Sequence, residues 1–193
     1  MKVTIMSIVS DYNRAIGSIE NGKFTPLMNG KCKRYGKDNI KKYWNRLSML
    51  ANNAIVVCDD SMYVMLNSNI NPIDRSQMHI VVIDRLINNK PYPDDILVYN
   101  ELSSAIGIAA MMDKDVLIIG GHKNIYEGLK YATDIIMCRV MHSYMGDVPF
   151  PELDNSWNIN EKSAVLTSRM GIVYQYWTYS KQTEEKKIDQ LKS

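Results

Sequence analysis

Val116-Leu117-Ile118-Ile119-Gly120-Gly121-His122-Lys123-Asn124-Ile125-Tyr126-Glu127-Gly128-Leu129 is the stretch that decides how this chain is read. Val116 to Ile119 is an apolar run too short for a core helix, and it suits a strand buried on both faces. The two glycines end it, because they permit backbone angles and close approaches that a side chain would obstruct. Ile125, Tyr126 and Leu129 then follow at helical spacing. Strand, glycine turn and helix in this order put the free N–H groups of a first helical turn at the carboxyl end of a sheet, where a phosphate is favoured by hydrogen bonds and dipole. An ordinary tight connection has the same pattern, so the flanking sequence has to discriminate.

That flanking sequence alternates in the same way. Lys2 to Val9, Ala54 to Val57, His79 to Ile83 and Asp134 to Val140 are predicted strands, and Asp94 to Tyr99 a shorter one. Ile40, Tyr43, Trp44 and Leu47 share one face of a helix for which Asp38 or Asn39 is a suitable N-cap. Met62 to Leu66 and Leu102 to Met112 are shorter helical stretches, and the helix after the glycine pair is expected to reach about Tyr131. Gly17 to Asp38 has glycines, a proline and no sustained periodicity, and is read as a long irregular loop of the kind that covers a site. Its Lys31, Lys33, Arg34 and Lys37 either attract an anion or form a solvated charge run. Beyond Pro149-Phe150-Pro151, Ser163 to Ser168 and Gly171 to Tyr179 read as two antiparallel strands. The expected fold is α/β, a mainly parallel central sheet with flanking helices and an antiparallel C-terminal edge hairpin.

A chain of 193 residues is expected to form a single domain over 1–193, with a polar tail from Lys181. Its net charge of +2 demands no polyanionic partner, so nucleic acid is not expected. No apolar run approaches the roughly 20 residues of a membrane span, and the N-terminus lacks the pattern of a signal peptide, which points to the cytoplasm. Cys32, Cys58 and Cys138 include no close pair, and His79, His122 and His142 show no ligand spacing, so neither a disulfide framework nor a metal site is expected.

The order of punctuation carries more than any one motif. Ile16-Gly17 after the first strand, Asn21-Gly22 and Pro26 in the loop, the amphipathic helix, Arg75 in a turn before the His79 strand, Gly120-Gly121, and Gly146-Asp147-x-x-Phe150-Pro151 together resemble dihydrofolate reductase, most specifically from Val116 to Pro151. The resemblance implies hydride transfer from NADPH to 7,8-dihydrofolate, giving tetrahydrofolate for thymidylate synthesis. Such chemistry needs two flat rings stacked in a dry cleft, with the cofactor supplying reactivity and the protein orientation. On the cofactor side the resemblance implies Ile16, Gly17, Ile119, Gly120, Gly121 and Tyr126 near the nicotinamide end. His122, Lys123 and Asn124 would offer N–H groups to the pyrophosphate, and Ser61 and Arg85 would meet other phosphates. Asp84 could instead accept from a ribose hydroxyl and favour NADH. On the substrate side it implies Ile8, Tyr43 and Cys138, with Ile40 on the wall and Arg75 pairing with the glutamate-tail carboxylate. The catalytic acid corresponds to Asp38 or Asn39; counting back four residues from Tyr43 reaches Asn39, which can hydrogen-bond a pterin but cannot move a proton. A cis bond between Gly120 and Gly121 is also implied.

Departures from the family pattern are specific. Leu27 stands where a tryptophan follows the loop proline, Cys138 stands for a threonine, and Cys58-Asp59-Asp60-Ser61 replaces Gly-Arg-x-Thr. Two aspartates there repel phosphates. One reading is therefore an active, divergent reductase. A second is a homologue that kept the fold and serves a binding, regulatory or structural role, in an oligomeric or other assembly. A third is a reductase of the same fold acting on another pterin-like or pyrimidine-like substrate.

Overall fold

A computed structural model describes residues 1–20, 23–27, 36–67, 78–85, 91–144, 146–168 and 171–182. The elements in chain order are β1 (Val3–Ser10), β2 (Ala15–Glu20), β3 (Lys23–Pro26), α1 (Gly36–Ala51), β4 (Ala54–Asp59), α2 (Asp60–Leu66), β5 (His79–Ile83) and β6 (Leu97–Tyr99). They continue with α3 (Leu102–Met111), β7 (Asp115–Ile119), α4 (His122–Gly128), β8 (Asp134–Val140), β9 (Val148–Pro149), β10 (Trp157–Lys162), β11 (Leu166–Thr167) and β12 (Val173–Lys181).

Strands β8, β1, β7, β4, β5 and β6 lie side by side in parallel, with Ile5 opposite Ile118 and Val57 opposite the same residue from the other side. β12 adds to β8 antiparallel, β10 follows it, and β11 pairs briefly with β12. This is the α/β architecture expected from the alternation of strands and helices. The continuous apolar runs have a direct cause, because the sheet is covered on both faces. Val3, Ile5, Val57, Val81 and Ile118 pack toward Leu102, Ile106 and Ile125 of α3 and α4. Met6, Val56, Val82, Leu117 and Ile119 pack toward Tyr43, Trp44 and Leu47 of α1 and Met62 of α2. Each strand must then be apolar at odd and even positions alike.

Several expectations need correction. Within the stretch read as a loop from Gly17 to Asp38, β2 and β3 form an antiparallel hairpin that β9 extends into a second, three-stranded sheet. These strands are short and partly exposed, so their apolar alternation is faint, and pairing with β9 is a long-range event. At the other end the expected antiparallel edge hairpin is present, with Leu166 and Thr167 of β11 paired to β12 and the Ser163 and Ser168 N–H groups donating to the Tyr176 and Ile172 carbonyls, but β12 pairs more extensively with β8 and β10. β10 has no buried residue that would mark it as a strand, only a half-buried Trp157 followed by exposed positions. α1 starts at Gly36, which puts Asp38 and Asn39 inside its first turn instead of at the cap. α4 ends at Gly128, short of Tyr131. The Asn21-Gly22 turn, the basic residues Lys31, Lys33 and Arg34, Arg75 and the tail beyond residue 182 lie outside the described residues. Among the described residues no helix is long and apolar enough to cross a membrane.

Candidate active site

The carboxyl-terminal half of β1 opens onto a narrow cleft. Met6, Ser7 and Ile8 form its floor, with Ile16 of β2 and Phe24 and Pro26 of β3 on one side. Leu27, Tyr43 of α1, Met62 of α2, Gly120 and Ile125 of α4 complete the walls. The Tyr43 hydroxyl donates to the Met6 carbonyl (3.3 Å), and burial pushes its pKa well above the usual tyrosine range, so it remains a neutral wall residue. The Gly146-Asp147 segment supports the hairpin side of this cleft. Asp147 Oδ1 accepts from the Ile19 N–H at 3.1 Å, and the Phe150 N–H donates to the Arg14 carbonyl at 2.7 Å.

Gly120 and Gly121 have φ of +60° and +68°, a region that L side chains rarely adopt. Space forbids a side chain as well. A Cβ on residue 120 would stand 2.5 Å from Met62 Cε and 2.8 Å from Met62 Cβ. The bond between the two glycines is trans, since no cis peptide occurs among the described residues; the implied cis bond is corrected. Gly121 is the N-cap of α4 and supplies no capping side chain. His122, which opens that helix, packs its ring on Phe24 at 5.3 Å between centroids, and burial followed by the Lys123 charge holds its pKa below the usual histidine value.

The start of α2 is occupied by its own cap. Asp59 Oδ1 accepts from the Met62 N–H and from Ser61 Oγ, both at 2.9 Å. Burial raises the Asp59 pKa, the hydrogen bonds from Met62 and Ser61 oppose that shift, and Asp60 adds to it. Ser61 therefore turns its hydroxyl to Asp59. Arg85 is likewise engaged, with Nη1 donating to Asn124 Oδ1 and Nη2 paired with Glu127 Oε2, each at 2.7 Å. Both of these partners are carried by α4. Asn124 is fully buried, and its Nδ2 has no hydrogen-bond partner.

The other expected site residues divide between the cleft and its surroundings. Ile8, Ile16, Tyr43 and Gly120 line it. Ile119 is buried one layer away, opposite Met6 in register. Cys138 sits opposite Ile8 but is absent from the lining; burial pushes its thiol up to about 12. Gly17 belongs to the hairpin, where a Cβ would stand 2.4 Å from the Thr25 carbonyl oxygen, and it does not line the cleft. Tyr126 is 46% exposed, and its hydroxyl donates to the Pro149 carbonyl at 3.4 Å; Ile125 takes the wall position instead. One residue along a helix turns a side chain by about 100°, enough to exchange an inward for an outward position. Lys123 is exposed. The side chains of Asp38, Asn39 and Ile40, and all of Arg75, lie outside the described residues.

Sequence reasoning missed Met6, Ser7, Phe24 and Met62 as cleft residues. Leu27 was noticed only as a departure, yet it fills the position beside Ile16, where its N–H donates to the Ile16 carbonyl at 3.0 Å. Met62 left a fainter trace, an apolar residue in the first turn of a short helix.

Among the described residues no group of three or more histidines, cysteines or carboxylates could hold a metal ion. Comparison with curated proteins gives no match. The family model of dihydrofolate reductase matches residues 69–181, more than half of the chain, from the connection before β5 to the end of β12. That range includes the parallel strands β5 to β8, the glycine turn and the Gly146-Asp147 segment. The chain belongs to the dihydrofolate reductase family.

Proposed function

We propose that the chain reduces 7,8-dihydrofolate to tetrahydrofolate with a reduced nicotinamide dinucleotide, NADPH in the family. The observation that carries this reading is the apolar cleft between β1, the β2–β3 hairpin, α1 and the Gly120 turn. Its apolar walls suit a flat ring held away from water. The nicotinamide end fits, because Gly120 lets the backbone come to the cleft where any Cβ would collide with Met62. The phosphate end fits less well, since Asp59 takes up the hydroxyl of Ser61 and Arg85 is paired with Glu127. When bound, the dinucleotide supplies the hydride.

The chain's residues supply position and a proton. Ile8 and Tyr43 hold the pterin ring, Ile16 and Leu27 exclude water beside it, and Arg75 pairs with the carboxylate tail. Asp38, in the first turn of α1, supplies the proton, while Asn39 hydrogen-bonds the pterin amide. The test is absorbance-monitored oxidation of the dinucleotide by purified protein with dihydrofolate present. Turnover that yields tetrahydrofolate supports the reading, and its absence with both NADPH and NADH overturns it.

The Asp59 cap favours a second reading, in which the site no longer turns over and the chain acts as a binding, regulatory or structural member of an assembly. In that case the protein binds neither dinucleotide.

A further inference from the structure

The geometry points to a second ligand site, further along β1 than the cleft, that takes a flat aromatic monocarboxylate. A cavity of about 310 Å³ lies there, at the lower end of the size range of small-molecule sites. Met6, Ser7 and Ile8 line the cleft, whereas Val9, Ser10 and Asp11 line this cavity, and the two share no lining residue. The inference therefore does not depend on the reductase reading. The floor of the cavity is apolar. Val9, Met137 and Phe150 are buried in it, and Leu153 and Tyr179 pack against the same cluster. Two aromatic rings and a polarizable thioether suit a flat aromatic body.

The rim carries two ion pairs of different character. Arg139 pairs with Asp11, both side chains are largely buried, and the guanidinium also lies over the Trp177 ring at 3.8 Å. That pair is held by its surroundings. Arg14 is held by backbone carbonyls instead, its Nη2 donating to those of Phe150 (3.2 Å) and Pro151 (2.8 Å). Its Nη1 is left for a carboxylate, which Glu152 supplies at 3.3 Å from a side chain that is 92% exposed. So exposed a pair contributes little to stability, and an incoming carboxylate displaces Glu152 into solvent at small cost. It then meets a guanidinium already fixed in place, which spares the ordering of a long side chain on binding. The Glu152 carboxylate thus marks where the ligand's own carboxylate sits, beside the apolar floor. A dianion would add a charge that Asp11 and Glu152 repel, whereas a monocarboxylate exchanges one negative charge for another.

Titration calorimetry of the full chain with 2-naphthoate, its uncharged amide 2-naphthamide and acetate tests this. The naphthoate is expected to bind about tenfold more tightly than the amide, and acetate, which has no ring for the floor, not to bind. Glu152→Gln removes the competing carboxylate from an exposed position and should tighten naphthoate binding by about threefold or more without changing the amide. Arg14→Gln should bring the naphthoate down to the affinity of the amide, and Glu152→Gln decides alone if Arg14→Gln does not fold. Equal affinity for naphthoate and naphthamide overturns the inference, as does the absence of naphthoate binding. A naphthoate affinity that Glu152→Gln leaves unchanged places the ligand elsewhere on the protein and overturns it too.

Discussion

The carboxylate of Asp59 rests against the backbone of Gly121, with Oδ2 2.7 Å and Cβ 3.1 Å from the position that a side chain at 121 would take. The α2 cap and the turn after β7 are therefore fitted to each other, although 62 residues separate them in the sequence (121 minus 59). Gly120 has the same relationship with Met62.

Replacing either glycine by alanine should destabilise the protein. The positive φ alone costs about 1–2 kcal/mol, and overpacking against a neighbour adds about 1–3 kcal/mol. Gly120→Ala should be the worse, because the added methyl would stand 2.8 Å from Met62 Cβ, whereas the nearest Cβ at position 121, that of Asp59, is 3.1 Å away. Chemical denaturation of the two variants gives the order, and a Gly121→Ala protein less stable than Gly120→Ala contradicts the packing described.

Asp59 should impose a pH dependence on stability. Its folded-state pKa is raised above the ordinary 3.8, mainly by burial. Between those two values the folded protein holds a proton that the unfolded chain releases, so its contribution to stability is fully present below about the ordinary value and is lost as pH rises through the folded one. Asp59→Asn lacks this titration. The stability of wild type minus that of Asp59→Asn should therefore fall with rising pH in the acid range, as measured by urea denaturation at a series of pH values. A difference that grows with pH contradicts the buried placement.

Arg85→Met should cost about 2 kcal/mol, because it leaves the buried Asn124 carbonyl without its donor. Glu127→Gln should cost less than about 1 kcal/mol, since the Glu127 side chain is 44% exposed and solvent already screens its charge. Thermal denaturation of the two single variants separates these contributions. Equal losses would place the weight on the ion pair instead of the buried amide.

Under the reductase reading, Asp38→Asn should lower dihydrofolate turnover by about a hundredfold or more near neutral pH, as expected for removal of a proton donor. Asn39→Asp should change substrate KM more than it changes kcat. Steady-state kinetics on both variants locate the acid within the first turn of α1. A reversed pattern assigns the proton to position 39.

Much of the fold was legible because its causes are local or periodic. Val116 to Ile119 and His79 to Ile83 are apolar at every position, and only burial on both faces of a sheet requires that. Tyr43, Trp44 and Leu47 mark one side of α1 at helical spacing. The β2–β3 hairpin and β10 were hidden because their strands are short or exposed, and their pairing depends on distant partners. That Ile125 and not Tyr126 lines the cleft could not be read from spacing, because the two are adjacent on α4 and only the rotation of the helix decides between them.

By itself the sequence determined the strand–glycine–helix unit at Val116 to Leu129, the parallel core around it and the family to which the chain belongs, because each is written in residue type and spacing. Only the tertiary structure decided that Asp59 caps α2 against Gly121, that Arg85 is held by Asn124 and Glu127, and that Ile125 rather than Tyr126 faces the cleft. Those relationships join residues far apart in the chain or depend on the rotation of one helix, and a charge has no definite effect until its neighbours in space are known.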